Sequence, residues 1–179
     1  MGFRFILLFC LMIFCVCQQT PPIDFFKEEV TIEVLDARVR VTGVYYFKNL
    51  TEIGKRIKFY YPFPVDSNHD FPDTISIGCP FEKDSAGIYF SLSLRPNSID
   101  SFRITYEQQI DAHFFRYITT TTKVWKRPIK EASFAIIAPE TLAINVNYSF
   151  PEPVNINGYR RYSIPIKAFF PDEDLIITW

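Results

Sequence analysis

Thirteen prolines punctuate this chain, all of them between Pro21 and Pro171. Proline has no N–H to give a β ladder, so it collects at strand ends and sheet edges. Most of these prolines stand where an apolar run stops, as at Pro62 and Pro64, Pro72, Pro80, Pro96, Pro128 and Pro139. The runs between them are short and rich in Val, Ile, Thr, Tyr and Phe, which is strand composition.

Within the runs, apolar residues recur with a period of two. Val30, Ile32 and Val34 alternate with Thr31, Glu33 and Leu35, and Val39 and Val41 alternate with Arg38, Arg40 and Thr42. Phe102, Ile104, Tyr106 and Ile110 alternate with Arg103, Thr105, Glu107 and Gln109. Such alternation marks strands buried on one face. Asn157-Gly158, set between Val154-Asn155-Ile156 and Tyr159-Arg160-Arg161-Tyr162, fits a two-residue type I′ hairpin, whose central positions both need positive φ. No window of useful length carries a capped i, i+3, i+4, i+7 pattern.

Strands are predicted at 28–35, 37–48, 55–61, 74–79, 87–94, 100–110, 114–121, 132–138, 143–150, 159–164 and 174–179. Short strands with frequent turn signals and no intervening helices point to an all-β fold with little helix. The expected form is a single antiparallel, immunoglobulin-like β-sandwich of about 9–11 strands. The ending Leu175, Ile177, Trp179 also occurs in outer-membrane barrels. Short strands, many prolines and only six glycines argue against that class.

The amino terminus reads as a secretory signal peptide over residues 1–17. A positive start at Arg4 precedes an apolar run from Phe5 to Val16, with Cys15 and Cys17 at the small-residue positions. The run is shorter than the roughly 20 residues a spanning helix needs, so no transmembrane span is expected in the mature chain. Lipid attachment at Cys15 or Cys17 is the alternative, but Val16 and Phe14 suit a lipobox poorly. A single domain over 18–179 is expected, exported to the periplasm, the cell surface or the medium. Of the four cysteines only Cys79 lies outside the leader, so no disulfide framework forms within one chain. With 19 basic and 20 acidic residues the net charge is −1, which excludes a nucleic-acid partner as the natural reading.

Motifs for chemistry are few. His69 and His113 are the two histidines, and no H-E-x-x-H, G-x-S-x-G, C-x-x-C or phosphate loop occurs. Cys79 reads better as a small buried residue than as a nucleophile. Asp66-Ser67-Asn68-His69-Asp70 opens like a calcium loop, but position six is Phe71 and position twelve is Ile77, so an acidic turn is the plainer reading. Asn49-Leu50-Thr51 and Asn147-Tyr148-Ser149 match glycosylation sequons. No catalytic residue, metal or cofactor is assigned.

Aromatics are more telling. The chain holds 19 Phe, 10 Tyr and 2 Trp, and several stand side by side, as in Tyr45-Tyr46-Phe47, Phe59-Tyr60-Tyr61, Phe114-Phe115 and Phe169-Phe170. Neighbours on a strand point to opposite faces, so each pair puts one ring away from the core. Tyr46, Tyr60, Phe115 and Phe170 are therefore candidate interaction aromatics, and Trp125, outside any pair, is added to them.

Two stretches carry a resemblance. Val39 to Asn49, followed by Ile57-Lys58-Phe59-Tyr60-Tyr61-Pro62-Phe63-Pro64, reads as strand, F-x-N, then a strand closed by prolines. Leu94-Arg95-Pro96-Asn97-Ser98 then leads into Phe102-Arg103-Ile104-Thr105-Tyr106-Glu107-Gln108. Over about residues 37–110 this resembles the vault and inter-alpha-trypsin (VIT) type of β domain and related uncharacterised bacterial exported domains, without a following von Willebrand A-like domain. The resemblance implies a β-sandwich used for interaction or assembly rather than catalysis. The expectation is thus an exported, non-enzymatic protein that works by protein contact or self-association. A glycan-binding module built on surface aromatics, with Trp125 as a platform, is the alternative. A hydrolase using His69 or His113 is the enzymatic one.

Overall fold

The computed structural model describes residues 22–35, 37–110 and 112–179. The signal-peptide reading of residues 1–17 and the lipidation alternative lie outside the described residues. Thirteen strands form: β1 (Ile23–Val34), β2 (Arg38–Asn49), β3 (Lys55–Pro62), β4 (Thr74–Ile77), β5 (Phe81–Lys83), β6 (Gly87–Leu94) and β7 (Ile99–Gln109), then β8 (Phe114–Tyr117), β9 (Ile129–Pro139), β10 (Asn145–Val146), β11 (Val154–Ile156), β12 (Tyr159–Phe169) and β13 (Leu175–Thr178). Among the described residues the helical element is one 3-10 helix, Thr120–Trp125. No helix there is long and apolar enough to cross a membrane.

The all-β reading with little helix holds, but the strands divide into three sheets. A seven-stranded sheet runs β11-β12-β9-β1-β2-β7-β4, beside two three-stranded sheets, β10-β13-β8 and β3-β6-β5. The finer expectation, a purely antiparallel immunoglobulin-like pair of sheets, does not describe this arrangement, because β1 and β9 pair in parallel at the centre of the large sheet. Period-two alternation tells which face a residue takes, not which strand it pairs with, so the sequence could not distinguish these plans.

One face of the large sheet carries the core. Val39, Val41, Tyr45 and Phe47 of β2 point inward and Ile104 and Tyr106 of β7 join them, as their alternation requires. The small sheets pack on this face: Phe90 of β6 meets Phe102 at 4.9 Å, and Tyr117 of β8 meets Phe134 of β9 at 6.3 Å. On the outer face, Glu33, Arg40 and Glu107 stand in register on three adjacent strands. Arg40 bridges both acids, at 3.2 Å to Glu33 and 2.7 Å to Glu107. Exposed pairs of this kind contribute about 0–1 kcal/mol each.

Several boundaries differ from expectation for physical reasons. The strand expected at 114–121 stops at Tyr117 because the 3-10 helix begins at Thr120 and ends on Lys126 in the left-handed region, φ 55°. The run 143–150 alternates in burial as expected but ladders only at Asn145–Val146. Beyond that point the Asn147 side chain takes over, accepting from Ile176 N–H at 2.8 Å and donating to Asp174 O at 2.9 Å. Strand β12 continues through Pro165 to Phe169, past the end of its neighbour β11, where it is an edge and a missing N–H is tolerated. Asn49 is fully buried, with its amide donating to Ile53 O and Arg95 O at 2.9 Å and its oxygen accepting from Thr51. Both sequon asparagines therefore hold turns or strands through their side-chain amides.

The Asn157-Gly158 hairpin forms as its residue types dictate, with φ of 52° and 82°. Nothing lies near the position a Gly158 Cβ would take, so replacing it strains only the backbone. Gly158→Ala is expected to lower stability by about 1 kcal/mol with an unchanged denaturant m-value, measured by urea unfolding.

Candidate functional site

A β-bulge creates the site. In the β1–β2 ladder Phe25 pairs with Phe47 but Lys27 pairs with Tyr46, leaving Phe26 as the extra residue. An extra residue flips the parity of the strand beyond it. Phe25 faces the core before the bulge, and Glu28, Val30, Ile32 and Val34 face it afterwards. An acidic side chain is thereby carried into the interior, only 3% exposed. Its register partners are Tyr45 on β2 and Ala132 on β9.

Above Glu28 the three sheets meet through tyrosines. The Tyr45 hydroxyl lies 2.8 Å from that of Tyr61 on β3 and 2.6 Å from that of Tyr117 on β8. Two contacts among three phenols use two of three hydrogens, so one hydrogen remains to donate elsewhere. The Tyr45 ring folds back over Gly43, where a Cβ would lie within 2.6 Å of ring carbons. Burial pushes all three phenols up, Tyr61 to about 12, so they stay protonated at ordinary pH.

Glu28 has no hydrogen-bond partner for Oε1 among the described residues. Burial alone raises its carboxyl to about 8, because the charged form loses its hydration with nothing in return. It lines a cavity of about 420 Å³ that runs between the edge strand β3, the end of β8 and the 3-10 helix. The walls are rings: Phe25 and Phe47 stack at 4.9 Å, and Trp125 stands 5.8 and 5.6 Å from them. Tyr45 and Phe102 stack at 4.9 Å and continue this wall, with Phe102 5.8 Å from Phe47. The mouth reaches the surface at Tyr60, Thr121 and Val124, the last 72% exposed. Just past the 3-10 helix, Arg127 anchors this wall, donating to Ile23 O at 2.8 Å and pairing with buried Asp24 at 3.0 Å.

Of the five aromatics singled out, the structure brings two to this site. Trp125 forms a wall and Tyr60 the rim, resting against Tyr89 at 4.7 Å. Tyr46 lies on the opposite face of the large sheet, its hydroxyl donating to Glu29 at 2.7 Å. Phe170 is exposed after β12, away from the cavity. Phe115 is not a surface residue at all: it is fully buried in β8, because in the pair Phe114-Phe115 it is Phe114 that turns outward. Sequence reasoning misses Glu28, Tyr45, Tyr61 and Tyr117. The available signal is that Glu28 shares the parity of Val30, Ile32 and Val34.

The other polar candidates are occupied. His69 is buried, with Nδ1 2.7 Å from Asp66 and Nε2 accepting the Arg116 N–H at 3.1 Å. Asp66, first residue of the calcium-like run, also accepts from Asn68 N–H and pairs with Arg116 at 2.9 Å. His113 is exposed beside Trp179, at 6.0 Å. Burial raises the half-buried Cys79 thiol, which disfavours the nucleophilic thiolate.

Glu28 makes stability depend on pH. Between about 4.5 and about 8 the unfolded chain has released this proton while the folded chain retains it, so rising pH destabilises the fold through that window. Glu28→Gln keeps the shape and removes the titration. Its stability advantage over the natural chain is expected to widen from pH 4.5 to pH 8 and then level off, in denaturant titrations across that range. A constant difference would mean that the carboxyl is not held neutral.

No family model matches the sequence, and no curated protein matches it. Solved structures do match in fold. A candidate nutrient-binding protein from Legionella pneumophila superposes with a TM-score of 0.61 at 12% identity, over 88% of this chain and 66% of that one. An M1 zinc metallopeptidase from Deinococcus radiodurans superposes with a TM-score of 0.52 at 11% identity, over 88% of this chain and 42% of the enzyme. The chain thus spans just under two thirds of the first and less than half of the second. The likeness is one of β fold, and the resemblance over residues 37–110 stands at that level, not specifically with VIT-type domains.

Proposed function

We propose that this chain is an exported, non-catalytic binding domain that takes a small, largely apolar ligand into the aromatic cavity beside β3. The observation that carries the reading is the buried Glu28, whose Oε1 has no hydrogen-bond partner among the described residues, inside a ring-lined cavity of about 420 Å³ that opens at the surface. Ligand sites are typically concave, mostly apolar, about 300–1,000 Å³, and hold a few placed polar groups. The fold likeness to a candidate nutrient-binding protein is in keeping with a binding role. The engaged nitrogens of His69 speak against its use as a general base, which supports a non-enzymatic reading. Export rests on the leader pattern over 1–17 and on a remainder, 18–179, read as one domain that needs no disulfide. A glycan fits the cavity less well, since sugar hydroxyls need many polar partners and the walls are rings.

The test uses N-phenyl-1-naphthylamine, which is uncharged at neutral pH and brightens in apolar surroundings. Its fluorescence should saturate at one dye per chain. Thr121→Trp, a substitution at the exposed mouth, should weaken that binding at least tenfold while the melting temperature stays near the natural value. Absence of saturable binding, or binding untouched by Thr121→Trp, would reject the cavity as the site.

A second reading, contact between protein chains, is favoured at the hairpin edge. Val154, Ile156 and Tyr159 are 61, 49 and 46% exposed, and β11 is an unpaired edge of the large sheet. Such an edge is a template for pairing with another copy. Sedimentation equilibrium should show concentration-dependent dimer in the natural chain, abolished by joint Val154→Lys and Ile156→Lys; a monomer at all concentrations removes self-association.

A further inference from the structure

We infer that the cavity recognises an organic cation, a protonated amine on an apolar body whose ammonium group is held by Glu28 and faced by aromatic rings. This rests on the cavity being a ligand site. Glu28 is the one acid among the residues lining it. The basic residue there, Lys58, is turned away at the rim, with its ammonium 4.6 Å from the centre of the Tyr89 ring. The cavity therefore supplies an acceptor without a matching internal cation.

Three classes of ligand head can be compared. An anion finds no basic group inside, so its charge is left uncompensated in the apolar cavity. A neutral hydroxyl satisfies one oxygen and leaves the acid buried as before. An ammonium donates to the carboxylate that forms as Glu28 gives up its proton, and gains from the rings. Cations are attracted to ring faces within about 6 Å of the centroid. Phe25, Phe47 and Trp125 lie 4.9–5.8 Å from each other, and Tyr45 and Phe102 extend the same ring surface, Phe102 lying 5.8 Å from Phe47. An apolar tail fills the remaining volume toward Phe59 and Val124.

The chemistry has a proton balance. Empty, Glu28 is held largely protonated at neutral pH by burial. When R–NH3⁺ enters, the carboxyl releases one proton to solvent and the ion pair forms, so the charge inside the cavity sums to zero. The titratable groups that bear on Glu28 are Tyr45 of β2, Tyr61 of β3, Tyr117 of β8 and Tyr148. All four phenols are raised and remain neutral in the range that matters.

Isothermal titration calorimetry with 4-phenylbutylamine and 4-phenylbutan-1-ol, equal in size and differing in charge, tests the inference on the natural chain. The amine should bind at least tenfold tighter than the alcohol. Runs at pH 7 in two buffers of different ionisation enthalpy should report release of about one proton. Amine affinity should rise with pH up to about 8 and flatten above. In Glu28→Gln the preference should collapse toward one. Equal or better binding of the alcohol, no proton release, or a preference that survives Glu28→Gln would overturn the amine. If the dye and the alcohol bind while the amine is not preferred, only the cation is wrong; if none of the three binds, the cavity is not a ligand site.

Discussion

Everything near the site depends on the register of β1. It lies at the middle of the large sheet, hydrogen-bonded to β2 on one side and in parallel to β9 on the other. A strand held on both edges cannot slide, and a slip of one residue would exchange its two faces. The bulge at Phe26 is therefore a parity switch set into a fixed strand. It lets Phe25 and Glu28 share one face, although an unbroken strand would oppose them. The ring wall and the acid of the cavity come from the same strand for that reason.

The phenol cluster shows how three sheets are tied without a disulfide. Tyr45 belongs to the large sheet, Tyr61 to one small sheet and Tyr117 to the other, and their hydroxyls meet at 2.8 and 2.6 Å. Hydrogen bonds of this kind contribute about 1 kcal/mol each, modest beside the apolar burial around them. Their larger effect is on specificity, because each phenol left alone in the core would be an unsatisfied donor. The two small sheets are thereby aligned over Glu28, and the gap between their facing edges is the mouth. Gly43 serves the same arrangement by leaving room for the Tyr45 ring to lie across β2.

Faces are readable in the sequence, and pairings are not. Val39, Val41, Ile104 and Tyr106 fall where their alternation puts them, and the Asn157-Gly158 turn has the positive φ values its residues favour. The parallel β1–β9 pair leaves no mark, since parallel pairing of strands about a hundred residues apart is a property of the whole chain. Phe115 and Phe114 exchange roles because an adjacent pair says only that one ring leaves the core, and the short strand β8 decides which. Trp125 and Tyr60 stand out as aromatics, but their meeting requires the 3-10 helix and the β3 edge to come together. Glu28 is hidden by its type: a charged side chain ordinarily takes the solvent face, while its even-numbered parity with Val30 and Ile32 places it inside.

The same burial that makes Glu28 costly to the fold gives it leverage over a ligand. Buried unpaired, the carboxyl either stays protonated or exposes the fold to an uncompensated charge. An apolar residue of similar size at this position would remove both burdens, and the neighbouring core of Val30, Ile32 and Ala132 would accept it in character. Such a replacement would also leave the cavity with ring faces only, able to hold an apolar body but unable to choose its head group. In the low-dielectric interior one carboxyl, relieved of competition from water, discriminates charge far more strongly than it would at the surface. The cost of burying the acid and the selectivity it gives are thus a single property of where the Phe26 bulge puts that side chain.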